Sequence, residues 1–364
     1  MHLLWLIFFT GTILLFQGWL YKKLGSRHIY YTRYFEKAAV FEGEEVRLVE
    51  HIANRKLLPL PWVRVESKID SNLKFKKQFN LDIKHQQFHK SLFALMPYTS
   101  VKRLHTVKCV RRGSYKLTSA ALSLGDLFGI SEKTKISSFF TELLVYPSLL
   151  PLSDPSLPSD SFFGDVAVRR WIVDDPFMVS GVREYLPGDP LNRINWKMSA
   201  KTMSLKVRNH DYTADPKLMI YLNVESEEGM WDSITDPELI EKGIRIAATV
   251  AQYATSQGIS VGFRSNGCIS EQEENPVYAP LGSGFEHLEL ILQTLARMAI
   301  KRSVTIYTLL EDDIQNRITN QDLLLISCYS NERIAGQIEI LKQLGNSVEL
   351  LKLEKTFNEG EIDD

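Results

Sequence analysis

Cysteine is scarce in this sequence, which holds three thiols, Cys109, Cys268 and Cys328, among 364 residues. The three lie far apart and form no CxxC pair, which argues against a zinc ribbon and a disulfide framework and favours ordinary thiols in a reducing compartment. A strong net charge is also lacking, because 43 basic and 44 acidic residues leave a formal charge of −1. This balance predicts no nucleic-acid partner.

Motifs for nucleotide binding and hydrolysis are missing as well. The sequence has no GxxxxGK loop and no GxGxxG, and its GxSxG match, Gly258 to Gly262, lies between a predicted helix and the following strand rather than at a strand-to-helix turn, so neither activity has motif support. His85 and His89 lie four residues apart, but the glutamate of an HExxH zinc motif is absent and the flanking residues indicate strand and loop. We therefore expect two exposed histidines, and the sequence predicts no cofactor and no catalytic residue.

One long apolar run is present. The residues from Leu3 to Leu20 include no charged side chain, and a helix of this length spans about 27 Å, close to the bilayer core of about 30 Å. Trp5 and Trp19 lie near its two ends, where indole rings favour the membrane interface. The basic residues that follow are Lys22, Lys23, Arg27 and Arg33. The positive-inside rule therefore predicts a single-pass cell-membrane protein whose C-terminal bulk is cytoplasmic.

A cleaved signal peptide is the alternative for this run. It would need a basic region before the run and a small-x-small cleavage site after it. The sequence offers neither, since Trp19-Leu20-Tyr21-Lys22 is a poor cleavage context. The anchor interpretation is favoured, with residues 3–20 in the lipid bilayer.

The rest of the chain predicts an α+β multidomain fold. After an anchor at 1–28, residues 29–147 alternate as short strands do and predict a β-sandwich of roughly seven strands. Residues 148–211 form a linker rich in Pro and Ser followed by a polar segment. Residues 212–354 alternate strands with helices and predict a doubly wound α/β domain with a parallel sheet. An acidic tail occupies 355–364.

Three helices are predicted within the α/β domain. The first runs from Pro237 to Gly258, with proline at its start and glycine at its end. The second covers Phe285 to Ile300, and the third covers Asn331 to Leu344. No internal repeat accompanies them.

The polar segment Gly181 to Arg208 is the most informative part of the sequence. A strand ends at Tyr185 and a turn follows, after which Asp189 is a suitable N-cap and Pro190 a suitable first helical residue. The apolar positions that we expect on one face of this helix are Leu191, Ile194 and Met198. The charged positions that we expect along another face, four residues apart, are Asp189, Arg193 and Lys197.

Two interpretations of this segment stay open. It is either an ion-pair network that fixes the segment to its neighbour, or a polar surface that recognises a partner or an anion. A nucleophile paired with a base is not indicated, because no histidine occurs between Arg169 and Asn209.

This segment closely resembles the signature of the bacterial family called domain of unknown function 58. The matching residues that we take as a partner-binding or structural motif are Arg183, Glu184, Tyr185, Gly188, Asp189, Arg193, Trp196, Lys197 and Arg208. Upstream, Arg112 to Tyr115 and Gly125 to Gly129 are similar to two further elements of that family. The departures are Lys201, where the family usually has arginine, and Leu127, where it has proline.

The resemblance implies a membrane segment, a β-sandwich and a C-terminal von Willebrand factor A-like domain. Members are associated with MoxR-type AAA+ ATPases and are thought to act in assembly, maturation or metal insertion of other proteins. They commonly have two membrane spans, whereas one is visible here. The resemblance thus implies a membrane-anchored, non-catalytic adaptor or assembly factor that works with such an ATPase.

Two other functions remain as alternatives. One is a hydrolase that acts on envelope precursors with Glu184 or Asp189 as general base. The other is an exported adhesion module, which the predicted topology disfavours.

Metal binding by the C-terminal domain is not expected. A working von Willebrand factor A domain binds Mg²⁺ through D-x-S-x-S after its first strand, because this hard cation needs oxygen ligands in octahedral order. Here the position reads Asn-Val-Glu-Ser-Glu over 223–227, and the strand ending at Cys328 lacks the later aspartate. Asn223 and Glu225 are the two residues that could still contribute to a cation site.

Overall fold

The computed structural model describes most of the chain, which divides into two compact units, Met1–Ser148 and Leu149–Asp364. The residues that the structure describes are 2–76, 82–83, 86–126, 128–129, 131–158, 174–186, 191, 194–212, 216–229, 235–269 and 275–354.

The first unit begins with helix α1 (His2–Leu24), which contains the predicted apolar run. Its side chains are largely exposed, with 71% for Leu4 and 72% for Leu15. In the described part of the chain, this is the one helix that is long and apolar enough to cross a membrane. Length and composition are thus compatible with a single-pass anchor.

Two antiparallel sheets follow α1 and form a β-sandwich. Their strands are β1 (Ile29–Phe35), β2 (Ala39–Phe41), β3 (Glu45–Asn54), β4 (Leu60–Asp70), β5 (Leu73–Phe75), β6 (Asp82–Ile83), β7 (Gln86–Leu95), β8 (Ser100–Cys109), β9 (Gly113–Gly125) and β10 (Glu132–Tyr146). One sheet has the order β1-β3-β8-β5 and the other β2-β10-β9-β4-β7-β6, with β2 parallel to β10. The prediction of roughly seven strands was too low, because β2, β5 and β6 are too short to show an alternating pattern.

The sandwich core lies between the two sheets. Its largest cluster of buried side chains draws on both sheets, with Leu48 and Val107 from one and Leu143 and Tyr115 from the other. Along β1, Tyr31 is buried whereas its neighbour Tyr30 is exposed. This alternation is what a strand with one buried face requires.

The second unit contains a two-stranded hairpin and a five-stranded sheet. The hairpin is formed by β11 (Asp174–Glu184) and β12 (Lys206–Tyr212), with helix α2 (Trp196–Thr202) between them. The remaining strands are β13 (Lys217–Leu222), β14 (Ser260–Ser265), β15 (Gly267–Ile269), β16 (Val277–Gly282), β17 (Met298–Arg302), β18 (Asp322–Ser327) and β19 (Ser347–Lys352). The remaining helices are α3 (Pro237–Ser256), α4 (Phe285–Arg297), α5 (Ile306–Gln315) and α6 (Glu332–Gln343).

The five-stranded sheet has the order β16-β14-β13-β18-β19. Its strands β13, β14, β18 and β19 are parallel, and β16 is an antiparallel edge strand. The chain therefore builds outward from β13 first on one side and then on the other, which is a doubly wound arrangement. The predicted parallel α/β sheet is confirmed.

The helix predictions hold with two corrections. Helices α3 and α6 agree with the predicted segments. The second predicted helix is wrong at its end, because Met298–Arg302 leaves the helix as β17 and pairs with β15. Helix α5 was not predicted.

Local chemistry explains where α3 lies. The side chain of Asp236 accepts a hydrogen bond from Leu239 N at 3.2 Å, and Pro237 is the first helical residue. Gly243 faces the sheet so closely that a Cβ there would lie 2.9 Å from Cδ1 of Leu222 and of Leu353. The glycine therefore sets the contact of this helix with the sheet.

Candidate functional site

The signature segment forms the hairpin of β11 and β12. Arg183 pairs with Val207, and Glu184 with Lys206. The chain between the strands folds back onto β12, because Asn195 N donates to Lys206 O at 2.8 Å. The motif thus lies in the second compact unit.

The helix of this segment begins later than predicted. Its N-cap is Asn195, whose side chain accepts from Met198 N at 3.2 Å, and the described helix starts at Trp196. Leu191 and Ile194 therefore precede the helix and do not share a helical face with Met198. Ile194 is buried at 4% exposure, whereas Leu191 is 69% exposed.

The charged motif residues are only partly described. Arg183 Nη1 donates to Glu184 O at 3.1 Å, and the Glu184 carboxylate pairs with Lys206 Nζ at 3.0 Å. Lys197 is exposed on α2 and Tyr185 is half-buried. The residues Gly188, Asp189 and Arg193 and the side chain of Arg208 lie outside the described residues, so the predicted line of charges along a helix is not assessed.

Apolar exposure is the most unusual feature of this hairpin. Trp196 is 67% exposed and Met203 is 95% exposed. We call the exposed apolar side chains of this segment the signature surface: Val182, Leu186, Leu191, Trp196, Met198, Met203 and Leu205. All seven come from one short stretch of the chain, 182–205.

A second polar site lies at the carboxyl ends of β13 and β18. Asn223 Oδ1 accepts from Glu225 N at 3.0 Å and from Asn266 Nδ2 at 2.8 Å, while its Nδ2 donates to Ser327 Oγ at 3.0 Å. Strands β14 and β18 flank β13 on opposite sides, so this is the switch point of the sheet. Doubly wound sheets commonly bind ligands at this position.

At this edge protein groups already engage both carboxylate oxygens of Glu225. The residue is 3% exposed, and its two oxygens accept from Arg302 Nη1 at 3.0 Å and from Tyr329 OH at 2.7 Å. Burial, followed by the nearby Glu225 carboxylate, raises the pKa of Tyr329. The sequence candidates Asn223 and Glu225 are thus brought together, but they do not fit a Mg²⁺ site, since both carboxylate oxygens are engaged and an arginine supplies the positive charge.

A third polar site, which the sequence did not reveal, lies inside the sandwich. Arg33 and Glu50 are cross-strand partners in one sheet, and Ser67 and His89 are cross-strand partners in the other. Arg33 donates to Ser67 Oγ and, at 3.0 Å, to His89 Nδ1, so it joins the two sheets. All four side chains are at most 3% exposed.

The carboxylate of Glu50 completes this buried ionic cluster. Tyr31 OH and Ser91 Oγ each donate to it at 2.8 Å, and His105 Nε2 lies 3.1 Å away. Burial would raise the pKa of Glu50, but the bond with His105 and the charge of Arg33 outweigh it and lower the pKa to about 2. The expectation that His89 is exposed was therefore wrong, while His85 lies outside the described residues.

His89 is held neutral in the cluster. Burial, followed by the charges of Arg33 and His105, lowers its pKa to about 3. A neutral imidazole can accept the hydrogen bond of a guanidinium at Nδ1. A sequence signal did exist, because Arg33 has the strand parity of the buried residues Tyr31 and Phe35.

We expect the free energy of unfolding of the sandwich to fall as the pH drops from about 6.5 toward 3. The unfolded His89 takes up a proton near pH 6.5, whereas the folded one does so near pH 3. Unfolding therefore binds a proton in this window, and stability falls by at most about 1.4 kcal/mol per pH unit. Glu50 adds to the loss only below about pH 4.5.

The measurement is denaturant unfolding of the detergent-solubilised chain at several pH values. Hydrogen exchange of the β3 and β8 amides monitors the unfolding of the sandwich. A His89→Gln variant should have a flatter slope between about pH 6.5 and 4.5 and retain the loss below it. An unchanged slope in that variant would assign the titration to another group.

Comparison with known proteins agrees with the resemblance found in the sequence. Residues 181–321 match the family model described as "Protein of unknown function DUF58", so the matched region starts in the signature hairpin and includes β13, β14 and α3. The uncharacterized protein YeaD of Bacillus subtilis (strain 168) is 23% identical over 190 residues. This alignment spans 51% of the chain and 43% of YeaD, less than half of that relative.

Solved structures give weaker similarities. The CARDB domain of the PF1109 protein from Pyrococcus furiosus is 11% identical, over 32% of this chain and 90% of that one, at a TM-score of 0.23. A non-cellulosomal cohesin from Archaeoglobus fulgidus is 12% identical, over 32% of this chain and 90% of the cohesin, at a TM-score of 0.24.

Proposed function

We propose that this protein is a membrane-anchored, non-catalytic adaptor or assembly factor that works with a MoxR-type AAA+ ATPase. The observation that carries the proposal is the signature surface. Large apolar side chains in contact with water are costly unless a partner covers them. Trp196 is the natural anchor of such a contact, because tryptophan is enriched among the residues that dominate binding energy.

The anchor part of the proposal rests on α1. The helix exposes its apolar side chains along most of its length, as a helix in lipid would. Lys22 and Lys23 follow in its last turn, which favours a cytoplasmic location for the two units.

The non-catalytic part rests on the chemistry of the polar sites. Glu184, one of the two candidate general bases, is exposed and paired with Lys206. Glu225 is engaged by Arg302 and Tyr329. Both carboxylates are engaged by protein groups, so neither is placed as a free general base. Asp189, the other candidate base, lies outside the described residues.

The α/β unit enters the proposal as a von Willebrand factor A-like domain. Its sheet is doubly wound, and the polar edge at Asn223 lies where such domains bind their metal. Arg302 supplies the positive charge at this edge. We infer that this domain binds its partner without Mg²⁺.

The test is an affinity pull-down of the full chain from detergent-solubilised membranes of its own cells. We expect wild-type protein to recover a AAA+ ATPase, and a Trp196→Ala/Leu191→Ala variant to lose at least about tenfold of it, because a buried interface tryptophan contributes about 2 kcal/mol or more. Phe285→Ala is the matched control, since Phe285 is a 77% exposed apolar residue of the same unit outside the signature segment.

Each outcome decides something. Equal recovery of the ATPase with the wild type, the double variant and Phe285→Ala would mean that the signature surface does not bind it. No ATPase with the wild type, from folded protein, would contradict the adaptor role and favour a screen for hydrolase activity on envelope precursors.

A further inference from the structure

The end of α1 is packed onto the sandwich. Tyr21 is 4% exposed and its OH donates to Pro59 O at 3.0 Å. Lys56 Nζ donates to Arg27 O at 2.8 Å. A Cβ on Gly25 would lie 2.8 Å from Leu124 Cδ1. This end of the sandwich is therefore fixed beside the point where the apolar helix ends.

Loops of this end expose large apolar side chains. Tyr98 N donates to Lys56 O at 3.3 Å, which joins the loop after β7 to the loop after β3. Trp62 Nε1 donates to Asp126 O at 3.1 Å, which brings the loop after β9 to the same end. The exposed side chains are Leu57 at 75%, Met96 at 68%, Tyr98 at 72% and Phe128 at 64%.

Cations surround these loop tips. The exposed or half-buried ones are Lys22, Lys23, Arg27, Arg55, Lys56, Lys133 and Lys135. Lys133 Nζ lies 3.3 Å from Lys22 O, so the start of β10 belongs to the group. Two acids lie beside them, the buried Asp126 and Glu132, which pairs with Arg64 at 3.2 Å, so the seven cations remain in excess.

We propose that this end of the sandwich binds the anionic phospholipid surface of the leaflet from which α1 emerges. The inference rests on the proposed membrane anchoring. Apolar tips ringed by lysine and arginine suit a lipid interface, where aromatic and aliphatic groups enter and cations meet phosphates. The cations are spread over the helix end and several strands rather than around one cavity, which fits a lipid surface better than a single phosphate ion.

The experiment uses the full chain in nanodiscs of phosphatidylcholine, with or without phosphatidylglycerol. A Leu57→Cys variant is labelled with an environment-sensitive fluorophore, and quenching by headgroup-region spin-labelled lipid is measured. Lys37→Cys is the matched control, because Lys37 is exposed at the opposite end of β1. Background labelling of Cys328 is subtracted with unsubstituted protein.

We expect severalfold stronger quenching at Leu57 than at Lys37 when phosphatidylglycerol is present. Charge neutralisation by Arg55→Gln and Lys135→Gln should weaken surface association by about fivefold for each cation. Quenching that is equal with phosphatidylcholine alone, or that free inorganic phosphate abolishes at constant ionic strength, would overturn the assignment to anionic lipid.

A label at Phe9→Cys, in the middle of α1, separates this inference from the anchor itself. Acyl-chain spin labels that quench Phe9, together with an unquenched Leu57, would overturn the surface inference and leave the anchor intact. An unquenched label at Phe9 would overturn both.

Discussion

Replacing Glu50 with alanine should lower the free energy of unfolding of the sandwich by about 3–5 kcal/mol. The substitution leaves the Arg33 guanidinium inside the sandwich, at 1% exposure, without its counter-ion. It also removes the acceptor of the bonds from Tyr31 and Ser91. Denaturant unfolding of the full chain in detergent, read through hydrogen exchange of β3 amides, measures the loss.

The matched control for this variant is Glu36→Ala. Glu36 lies 3.8 Å from Arg47 in an exposed pair, so its removal should change stability by less than about 1 kcal/mol. A loss below about 1 kcal/mol for Glu50→Ala would mean that the cluster does not hold a buried charge pair.

A double variant separates charge from packing in the same cluster. Arg33→Met with Glu50→Leu replaces both charged groups by apolar ones of similar size. It should be clearly more stable than Glu50→Ala, because neither charge is left buried without the other. If the double variant folds but loses a single defined structure, the cluster fixes the register between the two sheets.

Replacing Arg302 with alanine should destabilise the α/β unit by a similar amount, about 3–5 kcal/mol. Glu225 would stay 3% exposed with Tyr329 as its remaining side-chain donor in the network described above. The measurement is the same unfolding experiment, read at the amides of β13 and β18. Arg333→Ala is the control, because Arg333 pairs with Glu311 on the surface and should contribute at most about 1 kcal/mol.

An Arg302→Lys variant tests whether charge alone is sufficient. Lysine keeps the charge but lacks the planar fork of the guanidinium, so we expect an intermediate loss of stability. Wild-type stability in Arg302→Ala would contradict the role of this arginine as the counter-ion of Glu225.

Helix positions in the α/β unit were predictable where local signals were complete. Asp236 and Pro237 start α3 through side-chain capping and a preset φ, and Asn331 caps α6 in the same way. Helix α5 also has a cap, Thr305, which accepts from Thr308 N at 3.2 Å. No glycine or proline marks its ends, so the sequence pattern alone did not separate it from the strands around it.

The start of α2 was not predictable from local chemistry. Asp189 and Asn195 are both good N-caps, and the sequence preferred the first because proline follows it. In the fold, Asn195 is held by the backbone of Lys206, a residue beyond the helix. A long-range contact therefore decides between two equivalent local signals.

The buried ionic cluster was hidden for a related reason. Arg33 and His89 are 56 positions apart, and Glu50 and His105 are 55 apart. Residues of these types are typical of strand surfaces, and the parity of Arg33 along β1 was the one local signal. Only the pairing of Arg33 with Glu50, and of Ser67 with His89, turns their side chains toward each other.

The junction between α1 and the sandwich has a mechanical consequence. Tyr21 is buried in the sandwich, and Lys56 is hydrogen-bonded to the backbone after the helix. These contacts prevent free rotation of α1 relative to the sandwich. Any rotation of the sandwich would therefore turn α1 with it. The helix is therefore coupled rigidly to the sandwich rather than joined to it by a flexible linker.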